Sequence, residues 1–369
     1  MFSANSKKAL RIFAGLLIGL LFLTALVCVF RAYRITHILD SQFEAERWKG
    51  EDEESFCQVS CFMQADKKIS VRDVNNFRSK ALQELEDASV DVTGNKPFID
   101  CWSCADTTKV YGMYGANASV IACGGNFFEF HPLKLVKGNY FSGDDLMQDN
   151  ILLDEDLAWA LYGGNDLEGQ IVTVFGEPLR VAGVVAREND QASEKAYWGG
   201  MGLFMSYEKY LDLCASAPTE IETMGGSAEA GNYRTSGENA ITCYEICMPS
   251  PVDGFVPTLI ESAFPAENCE FVVNTGRFDF LKLVKIAKDF SERSMHNGVV
   301  FPYWENAARY AENKAAIFLV SGLLLMLIPL IVLVAALCAK IARWNKNVKE
   351  DILPNLMDDI GNVMQRVKK

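Results

Sequence analysis

Two segments of the chain lack charged residues over a length that could cross a membrane. Residues 12–30 form one uncharged apolar run, and residues 315–339 form a longer one. An α-helix needs about 20 apolar residues to span the hydrocarbon core of a bilayer. A buried helix of a soluble protein would normally keep a polar face, and neither run has one. The pattern therefore predicts one transmembrane helix near each end.

The first run also has the basic start and apolar centre of a secretory signal peptide. Its apolar centre is longer than usual, however, and Arg31 and Arg34 follow it in place of a small-residue cleavage site. We therefore expect an uncleaved anchor.

Gly15 and Gly19 within this run are spaced four residues apart, which could let two membrane helices pair closely.

Between the two runs the apolar residues become periodic. Val74, Phe77, Ala81 and Leu85 recur at helical spacing within residues 71–88. Further helices are predicted over 155–162, 279–293 and 303–314. Strands are predicted over 55–63, 110–114, 119–123, 151–153, 170–174, 179–185 and 269–274. A stretch rich in Gly, Ser and Glu predicts a mobile loop over 222–240. This mixture of elements indicates an α+β domain.

Charge predicts the orientation in the membrane. Basic residues stay on the cytoplasmic side of a membrane helix, and they cluster before the first run and directly after the second. We therefore expect a cytoplasmic N-terminus (1–11), an outer domain (31–314) and a cytoplasmic tail (340–369). Residues 32–314 hold 44 of the 48 acidic residues and 24 of the 35 basic ones. Such an acidic domain disfavours nucleic acid as a partner.

Nine of the eleven cysteines lie outside the two runs, and six of them form three closely spaced pairs. In an exported domain disulfides are the default expectation. A tetrahedral zinc site built from these pairs is the alternative. A redox site at the central Cys-Trp-Ser-Cys pair is disfavoured, because the flanking residues do not indicate a helix N-terminus. The candidate disulfide cysteines are Cys57, Cys61, Cys101, Cys104, Cys243 and Cys247.

Other chemistry-bearing patterns are absent from the sequence. It contains no Gly-x-x-x-x-Gly-Lys-Ser/Thr nucleotide-binding loop. Its three histidines, His37, His131 and His296, are far apart and are expected at surface or turn positions. We therefore expect no catalytic, cofactor or histidine-based metal site, and we do not expect an enzyme.

The most ordered motif lies in residues 126–185. A Phe-rich turn precedes a Gly-x-x-Phe-Ser-x-x-Asp pattern and a short strand. A helix ending in Leu-Tyr-Gly follows, and then a Gly turn and a closing Val-x-Gly-Val strand. The motif positions are Gly138, Phe141, Ser142, Asp145, Ala158, Leu161, Gly163, Asp166, Gly169, Ile171, Gly176, Val181, Gly183 and Val184.

This segment resembles the MacB-like periplasmic core domain of ABC-transporter permeases. Asn139 stands where the family usually has Arg, Tyr162 where it has Phe, and Leu167 where it has Pro. The motif residues are architectural, since glycines permit tight turns and close strand packing. The resemblance covers roughly residues 7–340 and is weakest over 190–268. It implies an α+β extracytoplasmic domain with two sublobes, carried on two transmembrane α-helices.

The resemblance also implies a function. Such a chain would be a non-catalytic, permease-like subunit whose outer domain relays ATP-driven motion of the membrane helices. Family permeases have three further spans after the outer domain, whereas this sequence shows one. A separate ABC ATPase and other permease chains are therefore the expected partners. The alternative is a stand-alone, membrane-anchored extracellular binding or adaptor protein.

The tail has an apolar stripe at helical spacing that includes Trp344 and Val348. In the resembling family the segment at this position contacts the ATPase, which makes these two residues candidates for coupling. The alternative is an amphipathic helix lying on the membrane surface.

Overall fold

A computed structural model of the protein describes residues 4–49, 55–90, 92, 97–143, 145–197, 200–216, 240–265, 267–288 and 298–347. These residues fall into two compact units. One lies within Met1–Arg34 and Lys314–Lys369, and the other lies within Ile35–Asn313. The predicted loop over 222–240 lies outside the described residues except at its last position.

The first unit is built from two long helices, α1 (Ala4–Thr36) and the greater part of α10 (Tyr303–Asn347). Both helices are long and apolar enough to cross a membrane. They approach each other closely at Gly322, where an added Cβ would lie 3.1 Å from the carbonyl oxygen of Ala25. A small residue at such a crossing permits this approach. Gly15 and Gly19 have open space around them, so their pairing with another helix stays a prediction.

The second unit is organised around one mixed ten-stranded sheet. Its main order is β10-β1-β9-β2-β3-β8-β5-β7-β4, and β6 pairs with both β2 and β7. The pairs β3/β8 and β5/β7 are parallel, and the remaining pairs are antiparallel. The strands are β1 (Phe56–Met63), β2 (Ile99–Tyr111), β3 (Gly115–Gly125), β4 (Leu135–Gly138), β5 (Asn150–Asp154), β6 (Ile171–Val174), β7 (Glu177–Val185), β8 (Gly202–Ser206), β9 (Cys243–Pro249) and β10 (Cys269–Val273).

Both faces of this sheet are covered. The first face, which carries Val59, Cys104 and Tyr244, packs against α3, α5, α7 and α8. The second face, which carries Phe62, Cys101 and Cys243, packs against α2, α4 and the start of α10. The helices of this unit are α2 (Glu44–Lys49), α3 (Val71–Asp87), α4 (Phe127–Phe130), α5 (Glu155–Tyr162), α6 (Gln191–Ala196), α7 (Tyr207–Ser216), α8 (Phe255–Ala263) and α9 (Phe280–Lys288), with a short 3-10 helix at Asp40–Gln42.

Local sequence signals explain several of these elements. Ser70 caps α3 through a reciprocal pair of hydrogen bonds with Asp73. Asp154 caps α5 by accepting a hydrogen bond from the backbone N–H of Leu157, and its other oxygen accepts one from Gly202. Burial raises the pKa of the Asp154 carboxyl to about 6. The same side chain thus begins α5 and joins β5 to β8.

The predicted mixture of helices and strands is confirmed. The described strands form one continuous sheet, and the division into two sublobes stays a prediction. Helix α5 has the predicted bounds, and the strands predicted over 170–174 and 179–185 pair with each other as the hairpin of β6 and β7. The prediction over 110–114 was wrong, because these residues are mostly the turn between β2 and β3. Strand β2 instead begins at Ile99, and β4, β8 and β9 were missed. Strands β8 and β9 and the first half of β2 bury both faces, so they lack the alternation that identifies a strand by sequence.

Two motif glycines are required where β4 pairs with β7. Gly138 has a φ of +79°, and a Cβ there would lie 2.2 Å from the carbonyl oxygen of Ala182. A Cβ on Gly183 would lie 2.7 Å from the carbonyl oxygen of Lys137. Because real side chains do not come this close to backbone atoms, the two strands approach each other only with glycine at both positions.

We therefore predict that Gly183→Ala destabilises the outer unit by roughly 1–3 kcal/mol, through forced separation of the two strands. The matched control is Gly143→Ala, because an added Cβ at Gly143 has no neighbour within 4 Å. The control should change the free energy of unfolding by no more than about 0.5 kcal/mol. Denaturant unfolding of the full chain, followed by tryptophan fluorescence, measures both. Equal stability of the two variants would contradict this account.

Candidate functional site

The remaining motif residues lie in turns and in the core. Ala158 is fully buried on α5, and Gly163 ends that helix in the left-handed conformation, with a φ of +74°. Gly169, with a φ of +80°, precedes β6. Phe141 packs edge-to-face on Phe128, with ring centroids 5.1 Å apart. These placements fit an architectural role for the motif.

Asp145 organises the turn before β5. Its carboxylate accepts hydrogen bonds from the side chain of Asn150, at 2.9 Å, and from the backbone N–H of Ser142, at 3.4 Å. The Ser-x-x-Asp part of the motif is thus a turn that stabilises its own backbone.

The expected disulfides are wrong. Each of the six cysteines in the three spaced pairs lies in the described part of the chain, and each is a buried thiol without a disulfide. Cys57 and Cys61 lie four residues apart on β1, and Cys243 and Cys247 lie four apart on β9. A strand rises about 3.3 Å per residue, so such Cα atoms are roughly 13 Å apart. A disulfide requires less than about 7 Å.

The pair Cys101 and Cys104 cannot form a disulfide for a different reason. Cys101 and Cys104 are three residues apart on β2, so their side chains point to opposite faces of the sheet. Burial raises the pKa of both thiols, and for Cys101 the nearby carboxylate of Glu245 adds to this shift. A redox motif needs the opposite, an accessible thiol with a lowered pKa. The redox alternative therefore has no structural support.

A buried ionic cluster lies on the side of the outer unit where α10 begins. The guanidinium of Arg277 binds Glu305, at 2.6 and 2.9 Å, and Glu312, at 2.8 and 3.3 Å. It also donates to the side-chain oxygen of Gln42, at 2.9 Å. These four side chains come from three separate segments, and all are at most 5% exposed. We call this group the Arg277 cluster.

Arg277 keeps its charge in this buried position. Burial alone would lower the pKa of Arg277, but the carboxylates of Glu305 and Glu312 raise it above its ordinary value. Arg309 extends the cluster by donating to Glu305, at 2.6 Å, and to Glu270 on β10, at 2.5 Å. The first turns of α10 are therefore attached to the sheet through charged groups as well as apolar contacts.

A second polar group continues from the cluster across the second face of the sheet. Arg277 contacts the side-chain oxygen of Asn274 at 3.4 Å, and Asn274 donates to Ser60 at 2.7 Å. Ser60 donates to Glu245 at 2.7 Å, and Glu245 contacts His131 at 2.6 Å. His131 lies in the turn that ends α4, which is one of its two expected settings, but it is buried and not at the surface.

Sequence reasoning missed both groups. Glu305 and Glu312 are seven residues apart, so they share one face of a helix with Arg309 between them. Two acids beside one base on a helical face could have signalled a second, buried cation. Nothing local indicated which cation, because Arg277 lies in a loop after β10.

The coupling candidates in the tail are only partly described. Trp344 lies on α10 with 65% of its surface exposed. Val348 lies outside the described residues.

Comparison with known proteins identifies relatives for part of the chain. A stretch of 114 residues is 31% identical to the macrolide export ATP-binding/permease protein MacB of Agrobacterium fabrum, and it covers 29% of this chain and 18% of that protein. A stretch of 81 residues is 35% identical to the protein of the same name from Chromobacterium violaceum, and it covers 21% of this chain and 13% of that one. The matches thus span less than a fifth of these relatives.

Among solved structures, the periplasmic region of MacB from Actinobacillus actinomycetemcomitans matches with a TM-score of 0.41 and 16% identity, over 65% of this chain and 94% of that one. The extracellular domain of the noncanonic ABC-type transporter YknZ from Gram-positive bacteria matches with a TM-score of 0.34 and 14% identity, over 56% of this chain and 88% of that one.

The family model described as the MacB-like periplasmic core domain matches residues 13–223. This stretch is more than half of the chain and includes the whole motif that runs from Asn126 to Val185. The chain therefore belongs to the MacB-like periplasmic core domain family.

Proposed function

We propose that this chain is a non-catalytic, permease-type subunit of an ABC transporter, and that its outer domain relays motion of the membrane helices. The observation that carries the proposal is the Arg277 cluster, which attaches the start of α10 to the outer sheet. Helix α10 is continuous from Tyr303 to Asn347 and contains the second apolar span. A displacement of this helix would therefore act on the sheet through the cluster.

The strength of this attachment follows from electrostatics. Separating Arg277 from its two acids would leave charges without partners in a dry interior, which costs several kcal/mol. The first turns of α10 and the loop after β10 therefore move as one body. A flexible linker at the same place would absorb the motion instead of transmitting it.

The proposed subunit has no catalytic role of its own. The sequence has no nucleotide-binding loop, and the most conspicuous reactive pair, Cys101 and Cys104, is buried on opposite faces of β2. ATP hydrolysis would come from a separate ABC ATPase, and further permease chains would complete the transporter. Nucleic acid is not an expected partner, because the outer region is acidic.

We propose a location in the cell membrane with two spans, both termini in the cytoplasm and the large domain outside. The positive charges before the first span and after the second support this orientation. Single cysteines engineered within 225–235 should react with an impermeant maleimide on intact cells, whereas cysteines placed after residue 345 should not. Reaction of the tail cysteines alone would reverse the proposed orientation.

The Arg277 cluster predicts a large loss of stability when its cation is removed. Arg277→Met leaves Glu305 and Glu312 buried without a partner, which should cost about 3–5 kcal/mol. Hydrogen exchange of residues 303–313 in the full chain should rise accordingly. The control Lys137→Met removes an exposed pair with Asp166, at 3.6 Å, and should cost no more than about 1 kcal/mol.

A triple variant, Arg277→Met with Glu305→Gln and Glu312→Gln, removes all the charges of the cluster together. It should recover much of the stability lost in Arg277→Met, since no unpaired charge remains. If Arg277→Met alone exchanged hydrogen in residues 303–313 as slowly as the wild type, the attachment of α10 would not depend on this cluster.

Coupling to an ATPase predicts a contact through the tail, the longer of the two cytoplasmic segments. Trp344→Glu combined with Val348→Glu interrupts its apolar stripe and should abolish co-purification with the partner ATPase. The control Asn345→Glu with Asn347→Glu adds the same charge at polar positions and should preserve the co-purification.

If the chain is a stand-alone adaptor, the tail is dispensable and the outer domain binds its target without the tail. Full co-purification of the ATPase with a 345–369 deletion would refute the coupling.

A further inference from the structure

Three metal-binding side chains meet inside the outer unit on the second face of the sheet. The ligand atoms of Cys101, His131 and Glu245 all lie within 4.8 Å of one another. Glu245 Oε2 is 2.6 Å from His131 Nε2 and 3.9 Å from Cys101 Sγ. The three residues are 1%, 3% and 1% exposed. They are far apart in the sequence, so only the fold brings them together.

Their positions follow from three rigid elements. Cys101 on β2 lies directly opposite Glu245 on β9 in the antiparallel register. His131 follows the last residue of α4, and its backbone N–H donates to the carbonyl oxygen of Phe127 at 2.8 Å. Ligands held by strands and by a capped helix end keep a defined geometry, which a metal site needs.

The carboxylate of Glu245 is oriented by groups behind it. Ser60 donates to Glu245 Oε1 at 2.7 Å, and Asn274 donates to the hydroxyl of Ser60 at 2.7 Å. These bonds occupy Oε1 and leave Oε2 for Cys101 and His131. Outer hydrogen bonds of this kind orient the ligands of known metal sites.

Further potential ligands and a buried aromatic ring lie near Cys101, His131 and Glu245. Cys123 on β3 and Cys243 on β9 both pair with Ser103, which places their thiols on the same face as Cys101. The ring of Trp304 lies 4.3 Å from that of His131. The indole N–H of Trp304 is buried and has no hydrogen-bond partner among the residues that the structure describes. A fourth ligand could come from Cys123, Cys243 or a water.

From this geometry we infer that Cys101, His131 and Glu245 bind one zinc ion inside the outer domain. Zn²⁺ takes sulfur, nitrogen and oxygen ligands together, and the mixed set excludes a hard, oxygen-seeking ion such as Mg²⁺. On binding, the Cys101 thiol releases its proton to solvent. The thiolate and the Glu245 carboxylate then neutralise the two charges of the ion, and His131 binds as neutral imidazole. The hydrogen bond between His131 and Glu245 is replaced by their bonds to the metal.

The role of this ion would be structural. It would join β2 and β9 to the segment after α4, next to the place where Trp304 packs at the start of α10. The deep burial of all three ligands gives no approach for a substrate, so a catalytic role is not inferred.

The first test measures metal in the full chain, purified in detergent without chelator from cells grown with zinc. Elemental analysis should find about one zinc per chain, and Cys101→Ser with His131→Gln should lower the zinc content at least fivefold. The matched control is Cys104→Ser, a buried thiol on the same strand that faces the opposite side, and it should keep its zinc. Zinc content in the wild type no higher than in the double variant would overturn the proposal, as would copper in place of zinc.

A second measurement does not depend on the folding of the variants. Wild-type chain stripped with a chelator should melt at a lower temperature and recover on addition of Zn²⁺, because an ion that binds only the folded state stabilises it. Co²⁺ in its place should give a thiolate charge-transfer absorption in the near ultraviolet. An unchanged melting temperature together with no such absorption would show that Glu245 and His131 form a plain hydrogen-bonded pair.

Discussion

The structure near the start of α10 depends on the ion pairs that buried Arg277 forms with Glu305 and Glu312. Arg277 lies in a loop after β10, and its partners come from the segment before α2 and from two turns of α10. A buried charge is tolerated only when it is paired and hydrogen-bonded. Each of the three segments must therefore be in place before the charge of Arg277 is satisfied. This requirement orders the start of a helix that contains the second apolar span.

The same constraint shapes the second face of the sheet. Most of its side chains are apolar, but Ser60, Glu245 and His131 form a buried polar chain that leads back through Asn274 to Arg277. A polar group in a low-dielectric interior is costly when unpaired, and fully paired groups make the arrangement specific. The polar chain therefore constrains the register of β1 against β9 and of β9 against β2. A shift of one residue would turn Glu245 into the opposite, apolar layer.

The cysteines illustrate how secondary structure decides chemistry. Two members of the same pair could form a disulfide with each other only if the chain bent back between them. Each pair instead lies along a single extended strand, where residues four apart are too distant and residues three apart face opposite sides. Being buried, the thiols act as small apolar side chains in the core. Cys101 differs from the other thiols, because the strand register places it beside the carboxylate of Glu245 and near the imidazole of His131.

The sequence by itself determined the two apolar spans, the mixed α/β character, the bounds of α5 and the β6/β7 hairpin. These features depend on neighbouring residues: an apolar run, the cap at Asp154, and the glycines at 163 and 176. The motif from Asn126 to Val185 likewise indicated the family, because its residues are close in sequence. Only the tertiary structure decided the pairing of β9 with β1 and β2, the state of the thiols, and the groups around Arg277 and Glu245. Those depend on contacts between residues such as Ser60 and Glu245, 185 positions apart, whose register no local pattern encodes.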